Sequence, residues 1–185
     1  KRRYKLLIGF LITGIFLITI FFITKDKKVY YLSLGDSLAA GQTPNNSISL
    51  SYGDYVSEYL KDKEVLEFYT KSFAKSGYRS IDLLNDLKSN KTVKINGKAL
   101  TIKHALIKAD IVTLSIGSND LFYKLNIGNE FDLNEFDDIY TYVDESIKDI
   151  DKLLYELRKS CKEQIMVFGF YNPFTAFSST LANTV

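Results

Sequence analysis

Ser37 is the residue that its surroundings best suit to act as a nucleophile. It stands in Gly35-Asp36-Ser37-Leu38, directly after the apolar run 29–34. A short apolar run ending at a glycine reads as a buried strand and its exit turn. Open α/β sheets place their chemistry at the carboxyl ends of such strands. Ser76-Gly77 follows a second strand-like run, and Gly117-Ser118-Asn119-Asp120 follows a third. Cleaving an ester needs a hydroxyl nucleophile and donors aimed at the developing oxyanion. Ser37 offers the hydroxyl. The backbone N–H groups of Ser37 and Gly77, with the Asn119 side-chain amide, offer three donors. Glycine at 77 lets the main chain approach a substrate closely. Each block alone is also a good generic turn, so the weight lies in the three occurring in order. Asp120 reads as a carboxylate that ties a loop, and Gly117 as backbone geometry.

The elements that position these residues follow from periodicity. Residues 29–34, 65–73, 111–116 and 165–170 read as strands. Residues 52–60, a segment with Ser80 as its cap, 101–109 and 136–159 read as helices. The longest carries its apolar stripe at Ile139, Val143, Ile147, Ile150, Leu154 and Leu157. Asn96-Gly97 marks a tight hairpin turn. Strands alternating with helices predict right-handed crossovers and a parallel sheet.

Charge divides the 185 residues into two parts. Seven of the 24 basic residues and one of the 22 acidic ones flank the apolar run 6–23, so from Val29 onward 17 basic and 21 acidic residues leave a net charge of −4. A mildly acidic body argues against nucleic acid, which needs a basic face. Residues 6–23 hold no charge and no proline. As a helix they span roughly 27 Å, close to the ~30 Å hydrocarbon core of a bilayer. No small-residue cleavage site and no lipidation cysteine follow the run, so an uncleaved signal anchor is expected over residues 1–28 with its flanks, and secretion after cleavage is the alternative. Lys1, Arg2, Arg3 and Lys5 favour a cytoplasmic N-terminus. That arrangement puts the domain 29–185 on the extracytoplasmic side of a cell membrane. The single cysteine, Cys161, has no intramolecular disulfide partner.

At Gly35-Asp36-Ser37-Leu38, Gly77 and Gly117-Ser118-Asn119-Asp120 the chain resembles the SGNH hydrolases, also called GDSL esterases/lipases, from about residue 29 onward. The resemblance is closest to lysophospholipase-like, membrane-anchored bacterial members. It implies a flavodoxin-like three-layer α/β/α sandwich with a parallel sheet. It also implies a catalytic Ser37, an oxyanion hole of Ser37, Gly77 and Asn119, and a supporting loop set of Gly35, Asp36, Gly117 and Asp120. No metal or organic cofactor is implied. The substrate is then an ester such as a lysophospholipid, a short acyl ester or an acetylated glycan.

The family's fourth block, Asp-x-x-His, is absent, and the one histidine, His104, falls on the helix leading into the third strand. A base there lies at the wrong edge of the sheet for Ser37. The resemblance therefore implies a C-terminally incomplete domain, with the base beyond Val185, and a fragment that is inactive or crippled alone. The lack of an initiating Met suggests a trimmed N-terminus as well. The rivals are an inactive anchored SGNH-like binding module, a cell-wall carbohydrate O-acetylesterase, a flavodoxin-like phosphate binder and a purely structural anchor. Asp36 counts against the phosphate binder, because a carboxylate in an anion-binding loop repels phosphate.

Overall fold

The computed structural model describes residues 27–125 and 139–169. Residues 6–23, expected as a membrane anchor, lie outside them. Among the described residues no helix is long and apolar enough to cross a membrane. Four parallel strands form one sheet in the order β2-β1-β5-β6: β1 (Val29–Gly35), β2 (Leu66–Thr70), β5 (Ile111–Ser115) and β6 (Gln164–Phe168). The short strands β3 (Thr92–Ile95) and β4 (Lys98–Thr101) make a separate antiparallel hairpin. Its turn holds Asn96 at φ 49° and Gly97 at φ 78°, the two left-handed residues that a tight hairpin connection requires.

Among the described residues six helices intervene: α1 (Ser37–Ala40), α2 (Tyr52–Asp62), α3 (Ser80–Lys88), α4 (Ile102–Lys108), α5 (Ser118–Lys124) and α6 (Ile139–Ser160). Strand alternation sorts them onto the two faces of the sheet. Leu32, Leu34, Val112 and Leu114 point to one face and join Leu83, Leu87, Ile102, Leu106, Leu153, Leu157 and Cys161 in the main core, so α3, α4 and α6 cover that side. Tyr31, Ser33, Thr113 and Ser115 point to the other face and are all buried. There the Tyr31 and Thr113 hydroxyls share a hydrogen bond of 2.9 Å. Ser33 Oγ donates to Tyr52 Oη on α2 at 3.3 Å. The sheet thus has an oily side under three helices and a polar side under α2.

Three expectations are corrected. Ser80 is not the cap of α3: Arg79 occupies that position. Ser80 is the first helical residue because Asp120 takes both its N–H and its hydroxyl. The buried stripe of α6 runs through Ser146, Leu153 and Leu157, whereas Ile147 is exposed. Ile150, Leu154 and Leu157 of the expected stripe do pack in or against the main core. The strand expected at 65–73 ends at Thr70, where the Thr70 hydroxyl accepts from the Ser72 N–H and turns the chain.

Leu106 is fully buried in the main core. Leu106→Ala is expected to lower the unfolding free energy by about 2–5 kcal/mol, read from urea denaturation followed by circular dichroism.

Candidate active site

The turn after β1 cannot be built with any residue but glycine at 35. Gly35 has φ +128°, and a Cβ there would lie 1.8 Å from the Ser115 carbonyl oxygen on the neighbouring strand. The close approach lets the Asp36 N–H donate to that same oxygen at 2.9 Å. Asp36 then caps α1: its Oδ1 accepts from the Leu38 N–H at 3.0 Å and from Ser115 Oγ at 2.9 Å. Ser37 follows as the first residue of α1, half-buried at the carboxyl edge of the sheet.

Burial pushes the Asp36 carboxyl above its ordinary value, and the hydrogen bonds from Ser115 and the backbone offset part of that. The carboxylate is therefore an acceptor that holds the Ser37 loop.

The other two blocks are tied to the first by backbone groups. The Lys75 N–H donates to the Gly35 carbonyl at 3.0 Å, fixing the loop after β2 against the end of β1. Gly77 sits in that loop at φ +79°, exposed, and a Cβ there would meet nothing within 4 Å. Its backbone therefore borders open space. Asn119, the second residue of α5, donates from Nδ2 to the Tyr78 carbonyl at 2.9 Å. An amide nitrogen carries two hydrogens, so one fixes the side chain and the second stays available. Among the described residues, neither the Ser37 N–H nor the Gly77 N–H has a protein acceptor, and Ser37 Oγ has no hydrogen-bond partner.

Asp120, behind Asn119, is buried and accepts from the Ser80 N–H at 2.9 Å and from its hydroxyl at 3.3 Å. Burial pushes this carboxyl up as well, against the pull of the Ser80 hydrogen bonds. Gly117 stands just before α5 as its N-cap.

The structure thus gathers Ser37, Gly77 and Asn119 at one edge and places Gly35, Asp36, Gly117 and Asp120 beneath them. His104 is not brought there. It is exposed on α4 and shares a surface groove with Tyr30 near the start of β1 and Phe68 of β2. β1 has seven residues, which separates the two edges by roughly 20 Å.

Three supporting residues escaped the sequence reading. Ser115 braces Asp36, and its only signal is a hydroxyl closing an otherwise apolar strand. Ser80 donates its N–H and its hydroxyl to Asp120. Tyr78 gives its carbonyl to Asn119, while its hydroxyl donates to Asp86 at 2.9 Å and accepts from Lys91 at 2.6 Å. No spacing rule points to that trio. Among the described residues no cluster of His, Cys, Asp or Glu is placed to hold a metal ion.

The model of the GDSL-like lipase/acylhydrolase family matches residues 31–177. Among solved structures the fold is similar to that of the lipase Lip_vut3 from a goat rumen metagenome, with a TM-score of 0.57 at 21% identity, over 83% of this chain and 68% of that one. It is also similar to AlinE4, an SGNH-hydrolase family esterase, with a TM-score of 0.50 at 17% identity, over 87% of this chain and 68% of that one. No curated protein matches the chain.

The raised Asp36 carboxyl has a signed consequence. Its folded form holds the proton more tightly than the unfolded form, so its contribution to stability is full below the ordinary value of 3.8 and is lost as pH rises through the folded value. Asp36→Asn keeps the acceptor oxygen and removes the titration. The stability of wild type relative to Asp36→Asn is expected to be greatest below pH 3.8 and to fall with rising pH, read from urea midpoints across a pH series.

Proposed function

The chain belongs to the GDSL-like lipase/acylhydrolase family, and on that footing we propose that it hydrolyses carboxylic esters through Ser37. Ser37 Oγ attacks the acyl carbonyl and its proton passes to an imidazole. The oxyanion is received by the N–H groups of Ser37 and Gly77 and by the second hydrogen of Asn119 Nδ2. Collapse of the tetrahedral intermediate releases the alcohol, which takes the proton, and leaves an acyl-Ser37. Water, deprotonated by the same base, then attacks the acyl group and releases the acid. His104 is not that base, because it stands at the opposite edge of the sheet, and these 185 residues contain no other histidine.

The observation that supports this reading most is the link from Asn119 Nδ2 to the Tyr78 carbonyl. It ties the third block to the loop of the second, and the Lys75–Gly35 bond ties that loop to the nucleophile turn.

Two experiments on the full-length protein test the assignment. A fluorophosphonate probe is expected to label wild type and not Ser37→Ala, and equal labelling of both overturns it. Asn119→Ala is expected to lower kcat by about 100- to 1000-fold, the usual loss for one oxyanion donor, with KM little changed.

We further propose that residues 6–23 anchor the protein in a cell membrane with the hydrolase domain outside. Only residues 24–28 separate that run from β1, so the amino edge of the sheet stays near the lipid and β1 carries Ser37 away from it. That orientation favours short acyl esters or acetylated glycans over lysophospholipid within a bilayer. The expected outcome is faster hydrolysis of soluble acetyl esters than of vesicle-borne lysophospholipid, measured at equal ester concentration. The opposite order assigns a lipid substrate.

A further inference from the structure

A second concavity lies at the edge of the sheet remote from Ser37. It is a groove of about 380 Å³ whose floor includes Tyr30, Phe68 and Leu100 and whose rim carries Lys98, His104 and Lys108. Tyr30 and Phe68 stack with ring centroids 4.5 Å apart, so the floor is a flat apolar platform. Lys98, His104 and Lys108 are all exposed. No acidic side chain is among the described residues that line it. Glu67 does not line the groove, but it stands at the irregularity where β2 pairs with β1, and its charge, after burial, helps raise the Tyr30 hydroxyl. Asp110 is neutralised nearby by the Lys27 ammonium at 2.5 Å and by the Tyr30 N–H at 2.9 Å. An otherwise acidic body thus presents an apolar-floored groove with two lysines and a histidine, and no carboxylate, in its lining.

The place of this groove identifies its occupant. Tyr30 lies near the start of β1, and the six steps from residue 23 to Val29 span no more than about 22 Å, so the apolar run 6–23 ends within that reach of the start of β1. Lys27 on Asp110 and Lys28 on the Glu64 carbonyl clamp the entering chain against that edge. Basic residues beside a membrane segment are drawn to anionic lipid.

We infer that this groove seats the head group of an anionic membrane lipid, with the phosphate against Lys98, His104 and Lys108 and the glycerol region over the Tyr30–Phe68 platform. This rests on the anchor proposed above and not on the esterase chemistry. It fixes the tilt of the domain: lipid bound at the groove holds the carboxyl edge, and Ser37 with it, on the aqueous side.

These 185 residues hold no tryptophan, and an added indole is read as the difference in emission between the variant and wild type. Ala99→Trp, at an exposed groove position, is introduced into the full chain, and the protein is reconstituted into vesicles with brominated acyl chains. One set is phosphatidylcholine alone, and the other an equal mixture with phosphatidylglycerol. Flotation reads the anchor, and quenching of the indole emission reads the groove. Flotation with both vesicles is expected, with quenching only in the phosphatidylglycerol mixture. That quenching is expected to be lost when Lys98→Glu and Lys108→Glu are added. Flotation without quenching, or equal quenching in the two vesicles, overturns the lipid site and leaves the anchor standing. Failure to float overturns both. Esterase activity enters none of these readings.

Discussion

Ser115 and Gly35 approach more closely than any side chain at position 35 permits, and the rest of the site is arranged around that contact. A Cβ at 35 would lie 1.8 Å from the Ser115 carbonyl oxygen. Because nothing intervenes, the chain turns sharply at the end of β1 and Asp36 reaches both the Ser115 carbonyl and its hydroxyl. The strand pairing therefore does more than hold the sheet together. It sets where Ser37 emerges and leaves the Gly35 carbonyl pointing at the Lys75 N–H, so the second loop is positioned by the first. The main core can be repacked with residues of similar volume at modest cost, but this junction allows no such latitude.

Two buried carboxylates serve the site in the same indirect manner. Asp36 and Asp120 each accept hydrogen bonds from a backbone N–H and a serine hydroxyl, and burial raises both. Each carries a desolvation cost that its hydrogen bonds offset only in part. What the cost secures is placement: Asp36 orients the turn that holds Ser37, and Asp120 joins α5 to α3 so that Asn119 faces the loop of Gly77. Charged groups within such a cleft need not take part in its chemistry, and here Asp36 Oδ1 and both Asp120 oxygens are already committed to hydrogen bonds.

Much of the architecture is legible in the sequence because its signals are local. The apolar runs before Gly35 and before Gly117 mark β1 and β5, and Asn96-Gly97 marks the hairpin. What escaped the sequence depends on partners far along the chain. Ser80 looks like a cap by type and position, yet a carboxylate forty residues later claims it. Ile147 belongs to the expected stripe of α6, yet it is exposed while Leu157 of the same stripe lies in the core and Ile150 and Leu154 pack against it. Thr113 and Ser115 pass for strand filler until the polar face under α2 is seen. In the site itself the three block positions are readable from residue type, but the bonds that gather them run through backbone groups of Lys75 and Tyr78, which no side-chain pattern encodes.

The Asn119–Tyr78 bond has a consequence for how this site tolerates change. Its acceptor is a main-chain carbonyl, present whatever residue occupies position 78. Turning the Asn119 amide over would set its oxygen against another oxygen, so the correct orientation is enforced by repulsion as well as by attraction. Substitution at 78 can alter the ring, its hydroxyl and the Asp86–Lys91 pair around it without deleting the group that aims Asn119. The aiming of that donor is insulated from the identity of its neighbour, which leaves the rim of the cleft free to diversify while the geometry within it stays fixed.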